Sequence, residues 1–276
     1  MSNLFKPAVR SKQKLRLLLE GASGSGKTYS ALLIAKSLAQ KENKKVAFID
    51  TEFGSASLYA GKFEFDTLEL SPPFVPEKYI EAIQAANSSG EYGVLIVDSI
   101  SHEWSGEGGC LDIQSKLGGM FNDWKKVTPR HQAFINAILK ANIHIIGCAR
   151  TKSDYVMEEG TNKFGKATTK PVKVGTKTEQ REGLEFEFTT IFRLNQNHVA
   201  SVSKDRTSLF ETKDEIITEE TGDILYKWLT TGEDIISNTS ADDSEYYLTL
   251  DAIEDIDMLK QFYTESKELV NDKKAF

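Results

Sequence analysis

The run Gly21-Ala22-Ser23-Gly24-Ser25-Gly26-Lys27-Thr28 restricts this chain more than any other feature, and it fits the pattern GxxxxGK[ST] in full. Residues 15–20 before it (LRLLLE) form a short apolar run of buried-strand length. After it, Ala31, Leu32, Ile34, Ala35 and Leu38 recur at helical spacing. Glycines in such a strand–turn–helix let the backbone curl until several N–H groups face one point, and the N-terminus of the helix adds positive potential there. The expected occupant is a nucleotide's phosphate chain, with Lys27 at the β and γ phosphates and the Thr28 hydroxyl on Mg²⁺. Gly21, Ala22, Ser23, Gly24, Ser25, Gly26, Lys27 and Thr28 are therefore the candidate ATP-binding residues.

The surrounding pattern predicts an α/β fold. Residues 45–50 (KVAFID), 94–98 (VLIVD) and 144–148 (HIIGC) are further apolar runs of strand length. Between them, residues 76–88 read as a helix with proline in its first turn, and residues 134–141 belong to another. Strands alternating with helices imply a mainly parallel, helix-covered sheet. Residues 160–178 show no periodicity and read as a long loop. Residues 188–195 and 198–204 read as a hairpin around Gln196-Asn197, and residues 221–230 as a helix. The expected domains are an N-terminal tail (1–14), an ATPase core (15–232), an acidic polar linker (233–247) and a C-terminal helical segment (248–276).

A phosphate loop requires a second carboxylate on the magnesium side. Asp98 ends VLIVD, where the C-terminal edge of a parallel strand faces ligand, so Thr28 and Asp98 are the candidate metal ligands. Charge is unevenly spread: residues 1–210 hold 28 Lys/Arg against 23 Asp/Glu, and residues 211–276 hold 6 against 18. A mildly basic body with an acidic tail suits a nucleic-acid binder or a solvated acidic appendage. Lys163, Lys166, Lys170, Lys173 and Lys177 stand in a stretch without an acid and are the candidate DNA-binding residues, because lysine–phosphate contact is independent of sequence. Cys110 and Cys148 lie in no CxxC or Cys/His cluster and read as reduced thiols of a cytosolic protein. The N-terminal residues lack the apolar core of a secretory signal, and no apolar run reaches membrane-spanning length. The four histidines are scattered, and His102-Glu103 lacks the second histidine of a zinc-protease helix. Trp104, Trp124 and Trp228 read as packing residues, with base stacking the alternative for Trp104.

Lys45-Val46-Ala47-Phe48-Ile49-Asp50-Thr51-Glu52 resembles the strand after the P-loop helix in bacterial RecA and related recombinases, and Ser99-Ile100-Ser101 resembles a stretch of the same family. The resemblance spans roughly residues 12–210 and is nearest to phage-encoded RecA-like ATP-binding proteins of recombination and replication modules. It implies that Glu52 polarises the attacking water, that Tyr59 stacks on adenine, and that residues 105–119 take the place of a first DNA-binding loop. Arg150 stands where the family senses γ-phosphate, though the family's usual glutamine is not evident. Ser203-Lys204-Asp205-Arg206 resembles the Lys-x-Arg pair of DnaB-type helicases and bacterial RadA, which implies that Lys204 and Arg206 act on a neighbouring subunit's γ-phosphate. Phe5-Lys6-Pro7-Ala8 resembles the F-x-x-A stretch that docks archaeal and eukaryotic recombinases on their neighbours. The implied protein has a RecA-like P-loop core with a β-hairpin and a C-terminal helical appendage. It would hydrolyse ATP with Mg²⁺ as a ring or filament on single-stranded DNA, in the host cytoplasm if phage-encoded. The other readings are a loader or adaptor that recruits a replication protein through the acidic tail, and a P-loop kinase of small molecules.

Overall fold

A computed structural model of the chain describes residues 7–161, 167–210 and 214–233, the side chains of residues 155–174 excepted. Each apolar run of the sequence becomes a strand because its side chains are buried on both faces of one sheet. Strands β1 (Arg16–Gly21), β2 (Lys45–Asp50), β4 (Tyr92–Asp98), β5 (His144–Thr161) and β7 (Thr190–Leu194) pair in parallel, and β3 (Asp66–Glu69) extends them at one edge. At the other edge β8 (Val199–Asp205) and β9 (Glu215–Ile216) add by antiparallel pairing, giving the order β3-β2-β4-β5-β1-β7-β8-β9. Alternate residues of a strand point to opposite faces. Leu17 and Leu19 accordingly pack with Phe48, Ile96, Ile146 and helix α1 (Lys27–Glu42), together with α6 (Glu219–Leu229). Leu18 packs with Ala47, Ile49, Leu95 and Ile145 against α2 (Pro76–Ser88) and α5 (Trp124–Lys140).

The helices begin and end for local reasons. Pro76 opens α2, where its missing N–H costs nothing. Asn43 takes φ 53° after α1 and returns its N–H to Ala39 and Gln40, a left-handed cap that asparagine tolerates. The C-terminal carbonyls of α5 are received by Arg16, buried at the start of β1, which donates to Leu139 O and Ala141 O as well as to Ile143 O. Burial lowers the Arg16 pKa to about 10, and this network of carbonyl acceptors offsets part of that desolvation. The sequence expectation for residues 134–141 captured only the second half of α5, whose Pro129 sits in its second turn.

One expectation is corrected. Within residues 160–178, the described residues 160–161 and 167–178 are strand rather than loop: β5 continues out of the sheet to Thr161 and pairs antiparallel with β6 (Ala167–Thr178), forming a two-stranded ribbon. The sequence reading missed it because the order comes from pairing with the extension of β5, a partner outside the segment itself. Residues 105–119, the expected counterpart of a first DNA-binding loop, begin at the last residue of α3 (Ser101–Ser105) and include α4 (Cys110–Lys116), and the turn between the two helices has glycines where a Cβ would not fit. A Cβ on Gly109 would lie 2.6 Å from His102 O and 2.7 Å from Glu103 O, and Gly108 has φ 76° against Pro73. Their glycines answer to sterics rather than to mobility.

Contacts divide the chain into residues 1–232 and 233–276. The expected linker and C-terminal helix lie outside the described residues apart from Glu233, as do Phe5 and Lys6. Among the described residues no helix is long and apolar enough to cross a membrane.

The foot of the central strands carries a titratable knot. Leu15 N–H donates to His144 Nδ1 (2.9 Å), so the other ring nitrogen holds the proton and donates to Glu42 Oε1 (2.9 Å), which also receives Lys14 (2.5 Å). Burial pushes the Glu42 pKa up, but hydrogen bonds from His144 and Lys14 outweigh it and bring it down to about 2. A depressed carboxylate pKa stabilises the fold above the unfolded value of 4.5 and ceases to do so as pH falls toward 2. With allowance for partial solvation, Glu42→Gln should cost about 1–2 kcal/mol at pH 7 in urea unfolding, and the gap to wild type should narrow steadily below pH 4.5.

Candidate nucleotide site

Register places the phosphate loop. Gly21, the last residue of β1, is level with Arg150 of β5 and Leu194 of β7, so the chain leaves the sheet between two parallel neighbours. Gly24 and Gly26 take φ 77° and 91°, values that side chains disfavour, and α1 starts at Lys27. A Cβ on Gly26 would also lie 2.8 Å from His198 Nδ1. Lys27 Nζ donates to Gly21 O and Ala22 O, each at 3.0 Å, and so holds the loop in its curled form. Ser25 Oγ is buried without a hydrogen-bond partner. A lysine satisfied by the loop's own carbonyls, an orphaned hydroxyl and a free helix N-terminus fit the demands of a triphosphate.

The metal-side pair is in contact. Thr28 Oγ1 donates to Asp98 Oδ2 at 2.6 Å. Burial pushes the Asp98 carboxyl up to about 6, although the Thr28 hydrogen bond and the Lys27 charge pull it back; Glu52 and Asp50 nearby raise it further. Two oxygens converging on one point, one anionic, match the hard-oxygen preference of Mg²⁺, which keeps waters in its remaining positions.

Glu52 reaches the same edge but is engaged. Buried Asp50 accepts the N–H groups of Glu52 (2.6 Å) and Ala56 (2.9 Å), turning the chain sharply after β2. Both carboxylate oxygens of Glu52 then receive Arg150, from Nε at 3.0 Å and from Nη2 at 2.5 Å. The hydrogen bond that Arg150 donates to Glu52 raises the Arg150 pKa against the effect of its partial burial. Arg150 N–H itself donates to Ser101 Oγ at 2.9 Å, just beyond β4. The two residues assigned separately to water activation and phosphate sensing are thus one bidentate ion pair, and neither side chain is free for its expected task while the pair holds.

Beside the phosphate loop is a cavity of about 560 Å³ whose lining includes Gly24, Gly26, Lys27, Thr28, Tyr29 and Tyr59. Tyr59 meets Tyr29 with ring centroids 5.9 Å apart. The turn of the β7–β8 hairpin and the segment at β9 close the opposite side through His198 and Ile216, and Gln196 Nε2 donates to Ser23 O at 3.1 Å. Tyr29, Gln196, His198 and Ile216 escaped the sequence reading. Gln196-Asn197 was legible as a turn, but only the pairing of β7 beside β1 brings that turn over the phosphate loop.

Lys204 and Arg206 lie elsewhere. Asp205 is level with Thr190, and Thr190 with Leu17, so the Lys-x-Arg pair sits at the opposite end of the sheet from Gly21, about 13 Å away along the strands. Lys204 donates to the carbonyls of Glu185 (2.7 Å) and Phe186 (2.8 Å), and Arg206 to that of Phe186 (3.0 Å). Neither can serve the phosphate loop of its own chain. Of the ribbon lysines, Lys163 and Lys166 lie outside the described residues, as do the side chains of Lys170 and Lys173. Lys177 is exposed and pairs with Asp154 at 3.2 Å.

A raised carboxylate pKa means that the native state holds a proton which the unfolded chain, at 3.8, releases. Stability therefore falls as pH rises from about 4 to 6, and the cost of the buried charge is complete above that range. Without Mg²⁺, Asp98→Asn should raise unfolding stability by about 2–3 kcal/mol at pH 8, by about half of that at pH 5 and by little below pH 4, measured in urea. The same substitution should remove the Mg²⁺ dependence of nucleotide binding, read by calorimetry.

Among solved structures, the chain is similar to the KaiC-like protein PH0186 from the hyperthermophilic archaeon Pyrococcus horikoshii OT3, at 16% identity over 75% of this chain and 93% of that chain, with a TM-score of 0.39. The family described as AAA domain matches residues 13–221, a span that holds the phosphate loop, Asp98 and the β7–β8 hairpin. That match covers most of the chain, which belongs to the AAA domain family of P-loop ATPases.

Proposed function

We propose that this chain is a Mg²⁺-dependent ATPase of RecA-like kind that acts on single-stranded DNA in recombination, repair or replication, with ATP held between neighbouring copies. The observation that carries the reading is the continuity of β5. Its inner half is a core strand beside the phosphate loop, and its outer half forms the ribbon with β6, which bears Lys170, Lys173 and Lys177 of the five candidate lysines. Arg150, at the transition, holds Glu52. At the other root, Thr178 donates to Glu20, one residue before the phosphate loop. A polymer drawn along the ribbon by its phosphates would pull on both roots, and so on the catalytic glutamate.

Within that scheme Lys27 exchanges the loop carbonyls for phosphate oxygens, and Thr28 and Asp98 hold the metal. Magnesium, when bound, neutralises charge on the β and γ phosphates. Glu52 accepts a hydrogen bond from water once Arg150 releases it, and Tyr59 and Tyr29 offer ring faces to the base. Sharing of the site is supported by two exposed apolar surfaces at opposite ends of the sheet. Phe53 (82% exposed) and Leu58 (85%) flank Glu52 and Tyr59, whereas Phe186 (66%) lies beside Lys204 and Arg206. Head-to-tail stacking would cover both and bring the cations to a neighbour's γ-phosphate, as an arginine finger does.

Hydrolysis measured with and without single-stranded DNA, across protein concentration, tests this. Lys27→Ala should lose about 100-fold or more, and Arg206→Ala about a thousandfold. Mixing Arg206→Ala with Glu52→Ala should partly restore activity, because one copy keeps the intact phosphate side and the other the intact cation; Lys27→Ala mixed with Glu52→Ala should stay inactive. Arg150→Ala should bind ATP and hydrolyse it at one rate whether or not DNA is added. A rate indifferent to DNA in the wild type, with activity independent of protein concentration, would refute the reading.

A further inference from the structure

A groove of about 780 Å³ lies between α3, α5 and the segment after β6, apart from the nucleotide cavity. Trp104 and Trp124 stack in it nearly parallel, with centroids 5.5 Å apart and planes 17° from each other. The guanidinium of Arg181 stands over the Trp124 ring at 5.9 Å. At the mouth, Phe121 is 87% exposed and its neighbour Met120 69% exposed. Phe121 leaves its ring in water within a groove already faced with indole, which is an unfavourable arrangement for a surface that meets nothing.

The platform is held from beneath. Glu103, fully buried next to Trp104, receives Cys110 Sγ (3.1 Å), lies 3.1 Å from His131 Nδ1 and accepts Gln180 Nε2 (3.2 Å). His131 in turn meets the Trp104 ring edge-on at 5.4 Å. This one carboxylate ties together α3, α4, α5 and the exit of the ribbon, so the ring faces are fixed before any ligand arrives. The ribbon leads straight in, with exposed Lys177 near the end of β6 and Arg181 four residues on in the groove wall. Lys125 adds a second cation to that wall, against the single acid Glu182.

We propose that this groove is a stacking platform for the bases of single-stranded DNA, with exposed Phe121 supplying the open ring face beside the Trp104–Trp124 stack, and Arg181 and Lys125 holding the adjoining phosphates. The proposal rests on the reading of the chain as a single-strand-acting ATPase and adds a contact by base rather than by backbone. Flat rings at fixed spacing beside cations suit a nucleobase because every base has a π face, so the preference for strand over sequence follows. A peptide ligand would instead call for hydrogen-bonding edges or a deep apolar slot.

Anisotropy titration of labelled oligo-dT, and of an abasic strand of equal length, in the presence of a non-hydrolysed ATP analogue would test the platform. Wild type should prefer oligo-dT to the abasic strand by about tenfold, and Phe121→Ala should abolish that preference while binding the abasic strand as before. In a Trp228→Phe background, oligo-dT should quench the remaining tryptophan fluorescence and the abasic strand should not. Melting temperature checks that Phe121→Ala is folded, which its exposure favours. Oligo-dT affinity unchanged by Phe121→Ala, or a change in oligomeric state in place of a change in affinity, overturns the platform alone. Failure of the wild type to bind either strand overturns it together with the function proposed above.

Discussion

Parallel pairing of β1 between β5 and β7 brings Gly21, Arg150 and Leu194 to one level at the C-terminal edge of the sheet. Asp98 reaches that edge through β4, and Glu52 follows β2 to it. Four strand ends and one helix N-terminus therefore converge, from segments that, apart from β1 and α1, lie far apart in sequence. The convergence is also what makes the site electrostatically tense. Asp98 is buried beside Asp50 and Glu52, and its carboxyl titrates near 6 with Thr28 and Lys27 as its compensating partners. Such a cluster of acids favours a divalent cation, since the ion would relieve the desolvation that the fold imposes.

Coupling over distance requires a stiff element, and β5 is one. Inside the sheet it is paired on both sides, and outside it the ladder continues with β6. Each root of the ribbon contacts a carboxylate at the phosphate-loop edge of the sheet: Arg150 with Glu52, and Thr178 with Glu20, which Arg193 of β7 also grips. Gln180 adds bonds to Ile100 O and Glu103 beyond β4. The Glu52–Arg150 pair is partly solvated, so its net strength is modest and competing phosphate charge can displace it. A partly exposed pair of this kind suits a switch better than a buried one would.

Glycine content proved an ambiguous signal. The glycines of the phosphate loop and those at 106–109 look alike in composition, yet one set opens a cradle and the other closes a helix–helix turn against Pro73 and the carbonyls of α3. Adjacent strand and helix patterns distinguish them, because the first set follows a buried strand and the second does not. The lysine ribbon misled for the opposite reason. Period-2 patterning records burial rather than strand geometry itself, and residues 160–178 carry too little of it to be read as strands.

Local residues determined a great deal alone: the phosphate loop, its flanking strand and helix, Asp98 at the end of a core strand, the alternation that builds a parallel sheet, and the β7–β8 hairpin. These depend on interactions within a few residues or on burial on both sheet faces, and both leave a periodic trace in the chain. Strand order, by contrast, is carried by no single segment. Only the folded sheet brought Arg150 onto Glu52, laid the hairpin turn at Gln196–His198 over the loop beside Tyr29, removed Lys204 and Arg206 from their own phosphate site, and stacked Trp104 on Trp124. Contacts between residues a hundred positions apart follow from register across the sheet, and register is decided by the packing of the whole core.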